Sequence, residues 1–165
     1  MKLYHGSNCK FDFIDLAKSK NKRDFGKGFY LTTSRNQAED WAYKMYARYE
    51  GEGAFLYEFE WNEDIITLSY KIYEKASIEW LLMIKKNRKD GHLQHDFDVV
   101  KGKVADDDIA RTISAYIDDT YTEEETITRL KTDKLQDQVS FHTEKAIKTL
   151  TLLNRIELNG NEIYL

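Results

Sequence analysis

The sequence predicts a single α+β domain. Segments with period-two alternation and segments with helical spacing share the chain, without a regular βαβ alternation. No repeat, low-complexity tract or linker interrupts residues 1–165, so the whole chain is read as one domain. That length is enough to bury a substantial core.

Lys2–His5 is short and apolar enough to open the fold as a strand, and Lys18–Asp24 is a polar, basic loop. Gly28–Thr32 reads as a second strand. Ser34 followed by Gln37 is a capping-box pattern, and Ala38, Trp41, Ala42 and Met45 continue it at helical spacing, with Gly51 as a stop. In Phe55–Trp61 the aromatics Phe55, Tyr57, Phe59 and Trp61 share one face and Glu58 and Glu60 the other, the pattern of a half-buried strand. Ile65–Leu68 is a further short strand. Glu74–Lys86 is a helix built on Ile78, Leu81 and Leu82, with Trp80 and Ile84 widening its apolar face. Asp96–Val104 is a strand with Gly102 as a bulge position. A helix follows Asp106-Asp107-Asp108 through Ile109, Ile113, Tyr116 and Ile117, and Thr122 with Glu125 caps the next, which runs to Leu130. Gln138–His142 is a strand. Thr143 starts a helix containing Ala146, Ile147, Leu150 and Leu153, and Arg155–Leu165 closes the chain as a hairpin turning at Asn159-Gly160.

Lys plus Arg is 25 and Asp plus Glu is 29, a net charge of −4, which argues against broad electrostatic binding to DNA or to a membrane. The one cysteine, Cys9, permits no intrachain disulfide and suits a reducing, cytoplasmic compartment. His5, His92, His95 and His142 form no zinc spacing with it, so no metal is expected. No apolar run approaches a membrane span, and Met1-Lys2 leads into the first strand without a signal-peptide pattern.

Three stretches carry chemistry when taken together. The first is Leu3-Tyr4-His5-Gly6-Ser7. The second is Phe25-Gly26-Lys27-Gly28-Phe29-Tyr30, continuing to Ala38-Glu39-Asp40-Trp41-Ala42. The third is Gln138-Val139-Ser140-Phe141-His142-Thr143, with a helix after it. In that order they resemble the ADP-ribosyltransferase superfamily, in its His-Tyr-Glu branch of diphtheria-toxin-like and poly(ADP-ribose)-polymerase-like enzymes. The segment from Asp96 to Asp107 resembles, more narrowly, an uncharacterised bacterial family of that superfamily associated with toxin–antitoxin-like gene pairs.

The resemblance implies a split β-sheet core with flanking helices and an NAD cleft. It implies that NAD is the co-substrate and that its nicotinamide is clamped between two aromatic faces. Tyr30 and Trp41, separated by 11 positions, match the two stacking tyrosines, with tryptophan in the second place. His5 would bond the adenosine ribose, and Gly6 would offer its backbone to the nicotinamide amide. Ser7 would contact ribose or phosphate, and Gly26 and Gly28 would turn the loop into Tyr30's strand. Arg23, in a basic loop with Lys18, Lys20 and Lys22, is read as a pyrophosphate- or acceptor-binding residue.

Two departures alter the chemistry. Ala38 replaces a small serine that contacts the nicotinamide amide, removing one hydrogen bond of about 0.5–1.5 kcal/mol. Gln138 replaces the catalytic glutamate. It keeps the reach of a hydrogen-bonding group but loses the negative charge, at a cost of roughly a hundredfold or more in rate. An amide is also too poor a base to activate an acceptor. Chain elongation is therefore not expected, and mono-transfer is.

Other residues keep two readings. Asp106, Asp107 and Asp108 are an acidic first turn, or carboxylates that face the acceptor or substitute for the lost one. Glu144 reads first as a helix-start acid. His142 lies on Gln138's strand face and reads first as structural. The expectation is a bacterial, cytoplasmic NAD-dependent mono-ADP-ribosyltransferase, with catalytic residues His5, Tyr30 and Gln138. Its acceptor would be a protein or nucleic acid, and a small antitoxin protein would hold it in check. The alternatives are an NAD- or ADP-ribose-binding module with impaired catalysis, and an NAD glycohydrolase.

Overall fold

In the computed structural model, which describes residues 1–63, 67–104, 109–130 and 135–158, one long strand is buried on both faces. This strand, β3 (Ala54–Trp61), lies between β1 (Lys2–Ser7) and β7 (Leu150–Leu158) in a seven-stranded sheet of order β4-β5-β6-β2-β1-β3-β7. The remaining strands are β2 (Phe29–Thr32), β4 (Tyr70–Ile72), β5 (Val99–Lys103) and β6 (Asp137–Phe141). Neighbours are antiparallel except β4 and β5, so the sheet is mixed. The helices are α1 (Arg35–Tyr49), α2 (Ile78–Asp90), α3 (Ala110–Ile117), α4 (Glu123–Leu130) and the single turn α5 (Glu144–Ile147).

The two sheet faces carry separate cores. Leu3, Leu31, Phe55, Tyr57, Phe59, Val139 and Phe141 fill one, with Phe11, Ile14 and Ala146 packed over them. Phe25, Trp80, Leu81, Ile84, Val100, Ile113 and Tyr116 fill the other beneath α2 and α3. Alternation puts Gly6, Tyr30, Gln138 and His142 on this second, helix-covered face.

Local chemistry explains most element starts. The Ser34 hydroxyl accepts from Gln37 N at 3.3 Å, but the Gln37 side chain reaches Thr32 Oγ1 at 2.5 Å, so only half of the expected box forms. At α4 the box is reciprocal: Thr122 N donates to Glu125 Oε2 at 2.9 Å and Glu125 N to Thr122 Oγ1 at 3.2 Å.

Tertiary packing moved several boundaries. β3 is not half-buried: Glu58 is buried, held by Arg35 Nη1 at 3.3 Å and Asn154 Nδ2 at 3.0 Å, because α1 covers that face. α2 starts later than Glu74, where Ser77 accepts from Trp80 N at 3.2 Å. Its buried face is Trp80, Leu81, Ile84 and Asn87, whereas Ile78 and Leu82 are exposed. β4 has no counterpart in the sequence expectation. β5 pairs without a bulge at Gly102, which sits opposite Gln138; the register shift lies between Glu58 and Phe59, against β7. The expected helix through Leu153 ends at Ile147, and Leu150–Leu158 forms β7 along the whole of β3. Thr67 and Leu68 are not strand, and residues 65–66 of that expected strand lie outside the described residues. So do Asp106–Asp108 and the turn at Asn159-Gly160.

Candidate active site

The sheet is least paired where the three sequence stretches meet. Met1 and Trp61 exchange both backbone hydrogen bonds, at 2.9 and 2.8 Å. By the alternation of an antiparallel ladder, Leu3, His5 and Ser7 then direct their backbone groups to β3, while Tyr4 and Gly6 direct theirs to β2. Tyr4 finds Thr32 there, the single registered pair between β1 and β2. Continuing that register puts Gly6 opposite Tyr30. That pair is not made: the Tyr30 carbonyl accepts instead from Nδ1 of His5 at 2.7 Å. The N–H and C=O of Gly6 therefore face the gap between the two strands.

A carbonyl only accepts, so His5 carries its proton on Nδ1. Burial pushes the imidazole pKa down to about 4, against the Tyr30 bond that raises it and with a smaller lowering from the Arg23 charge. The ring is neutral at pH 7, and its Nε2 is a lone-pair acceptor with no protein partner among the described residues.

Tyr30 is fixed by its own hydroxyl. The oxygen accepts from Phe25 N at 3.0 Å and donates to Gly26 O at 2.6 Å. Burial, and then the Asp24 charge, push its pKa well above the ordinary tyrosine value, so it offers a ring face and not a proton. Trp41 stands across on α1 with 37% of its surface exposed.

Gln138 is buried between Thr32 and Gly102. Its Nε2 donates to Asp24 Oδ2 at 3.0 Å and to Lys103 O at 3.2 Å. Neither partner can donate, so both amide protons are committed and Oε1 is the atom left to accept. Arg88 holds Asp24 in turn, Nε to Oδ1 at 2.7 Å.

A family model described as protein of unknown function (DUF3990) matches residues 1–152. The chain belongs to that family. No curated protein and no solved structure matches it. The family description assigns no activity, so the chemistry of this DUF3990 protein rests on its own residues.

Gly6, Tyr30 and Gln138 lie on the helix-covered face, with Arg23 over the rings of Tyr30 and Trp41; the His5 ring lies on the opposite face against Phe11, Phe29 and Tyr57 and joins them through its bond to the Tyr30 carbonyl. Arg23 lies over both proposed clamp rings, its guanidinium carbon 5.7 Å from the Tyr30 centroid and 5.6 Å from that of Trp41. Ser7 is differently employed: its hydroxyl closes a turn, donating to Cys9 O at 3.0 Å and accepting from Cys9 N at 3.1 Å. Gly26 has φ +84°, the left-handed turn expected of it. Gly28 is a packing position, since a Cβ there would lie 2.6 Å from Nδ1 of His142. Gly6 likewise lacks room for a Cβ, 2.8 Å from Ala42 N and against the carbonyl of the buried Ala38.

His142 is structural. Its Nδ1 donates to Lys27 O at 2.8 Å, Nε2 pairs with the buried Ser140 hydroxyl at 2.8 Å, and burial lowers its pKa to about 4. Asp24 and Arg88 were missed by sequence reasoning. Asp24 adjoins Arg23 and was visible as an acid closing a basic loop; no local pattern marks Arg88, which is 64 residues away. Among the described residues no helix is long and apolar enough to cross a membrane.

Proposed function

We propose that this chain is an NAD-dependent mono-ADP-ribosyltransferase. The observation that carries the proposal is Gly6, whose N–H and C=O face an unpaired gap beside the Tyr30 ring. One donor and one acceptor, side by side, match a primary carboxamide such as that of nicotinamide. Tyr30 and Trp41 supply ring faces for the pyridinium. Neutral His5 offers Nε2 to a ribose hydroxyl, and Gln138 offers Oε1 to the 2′-hydroxyl of the nicotinamide ribose.

With the substrate held so, the nicotinamide–ribose bond breaks and its electron pair leaves with nicotinamide. A lone pair of the acceptor then bonds the ribose carbon and the acceptor loses its proton. No base of this chain is assigned to that proton, which limits the acceptor to a group that is already nucleophilic or carries its own base. The acceptor is a protein or nucleic-acid group. The family resemblance further assigns the chain the role of a cytoplasmic toxin restrained by a small antitoxin protein.

One observation favours a second reading. Gln138 is uncharged and its amide protons are tied to Asp24 and Lys103, which suits an NAD-binding module without turnover. Incubating the purified chain with NAD separates the two. Nicotinamide release that depends on added cell lysate, with label passing to a macromolecule, supports the transferase. Release without lysate makes it a glycohydrolase, and binding without release makes it a module. No binding at all removes the assigned roles of His5, Gly6, Tyr30 and Trp41 together.

A further inference from the structure

Arg23 is placed unusually for a surface arginine. Among the described residues it makes no salt bridge and no side-chain hydrogen bond; its guanidinium contacts are the faces of Tyr30 and Trp41, at 5.7 and 5.6 Å. The rest of its loop is anchored separately. Lys20 Nζ stands 4.9 Å over the ring of Tyr49, Asn21 Oδ1 accepts from His92 N, and Arg23 O accepts from Gly26 N at 3.1 Å. The loop is thus held against α1 and the 91–92 turn by other contacts, with the Arg23 side chain directed at the two rings.

We infer that the Tyr30–Trp41 pair is a site for planar cations, and that the Arg23 guanidinium is its resident occupant, which an incoming ligand must displace. A guanidinium is flat, delocalised and weakly hydrated, so it stacks on ring faces that carry negative quadrupole charge. An N-substituted nicotinamide ring has the same shape and the same single positive charge. Neutral nicotinamide and the reduced dihydropyridine share the size and lack the charge, so they forgo the cation–π part of the attraction. The site therefore selects the oxidised pyridinium. The identity of the full dinucleotide rests on the function proposed above; the selectivity for a planar cation does not.

The same arrangement bears on product release. When the glycosidic bond breaks, its electron pair neutralises the pyridinium. The departing nicotinamide loses its cation–π contacts as Arg23, still charged, regains them. Arg23 competes weakly with the substrate and strongly with the product.

The test is calorimetric titration of the full chain and its Arg23→Ala and Arg23→Gln variants with 1-methylnicotinamide, nicotinamide and NAD. Arg23→Gln keeps most of the side-chain volume and serves if the alanine variant misfolds. Removing the occupant should raise affinity for the 1-methylnicotinamide cation about tenfold, the order of one desolvated cation–π contact. The neutral nicotinamide should gain less. Unchanged or weaker binding of the cation by both variants overturns the inference, and weaker binding of both the cation and NAD makes Arg23 a ligand of the dinucleotide. A gain for the cation, with NAD bound by no form of the protein, leaves the occupant in place and removes the NAD reading instead.

Discussion

Nδ1 of His5 lies 2.7 Å from the carbonyl oxygen of Tyr30, the oxygen that strand register would give to the amide of Gly6. One side chain thus takes over a backbone bond and leaves a glycine's two polar groups facing a gap. A histidine in the first strand and a tyrosine in the second meet through this bond, 25 residues apart in the chain.

Gly6→Ala should destabilise the fold by about 1–3 kcal/mol, as overpacking generally does. A Cβ there would press on α1, 2.8 Å from Ala42 N. Urea denaturation measures the loss. NAD binding should fall as well, since α1 carries Trp41.

The Tyr30 hydroxyl and the Tyr30 ring have different tasks. Tyr30→Phe removes the bonds to Phe25 and Gly26 and should cost about 1–3 kcal/mol of stability while keeping ligand binding. Tyr30→Ala should abolish binding. Trp41→Ala should also abolish it with little change in melting temperature, because Trp41 is already 37% exposed. Retained affinity in Trp41→Ala would remove it from the site.

Placing a glutamate at position 138 should fail as a single change. Oδ2 of Asp24 is 3.0 Å from the amide nitrogen, so Gln138→Glu sets two carboxylates against each other and one must hold a proton. The single variant should lose stability as pH rises through 5 to 7. The double variant Gln138→Glu with Asp24→Asn should recover that stability and release nicotinamide roughly a hundredfold faster than the natural chain. No gain in the double variant would mean that the site works without a carboxylate there.

Acid should weaken the fold well before most carboxylates titrate. His5 and His142 both have pKa values lowered to about 4 from an ordinary 6.5, chiefly by burial. The unfolded chain therefore binds protons that the folded chain does not, and stability present above pH 6.5 is lost as pH falls towards 4. The loss by pH 5 is on the order of 2 kcal/mol per histidine. Urea midpoints at pH 7.5 and 5 measure it, and His142→Asn should flatten the slope even where it lowers stability.

Much of the fold was legible from the chain. β1, β2, β3 and β6 lie where alternation and turn residues put them, and the caps at Ser34, Thr122 and Thr143 form as hydroxyl-bearing residues at helix starts should. The C-terminal error has a definite cause. Ala146, Ile147, Leu150 and Leu153 fit helical spacing, but residues 150–158 gain a continuous ladder with β3, and non-local pairing outweighed the local pattern. α2 begins at Ile78 and not at Glu74 because Ser77 caps it, and of its expected apolar face Trp80, Leu81 and Ile84 are buried while Ile78 and Leu82 are exposed.

The sequence by itself determined which residue types would be at hand: a neutralisable histidine beside a glycine, two aromatics on successive elements, and a glutamine where a charge was expected. Those properties are local, fixed by residue identity and short spacing. Only the tertiary structure decided who touches whom. It gave the Tyr30 carbonyl to His5, tied Gln138 to Asp24 and Asp24 to Arg88, and laid Arg23 on Tyr30 and Trp41. Such contacts span up to 114 residues, and no periodicity encodes a hydrogen bond at that separation.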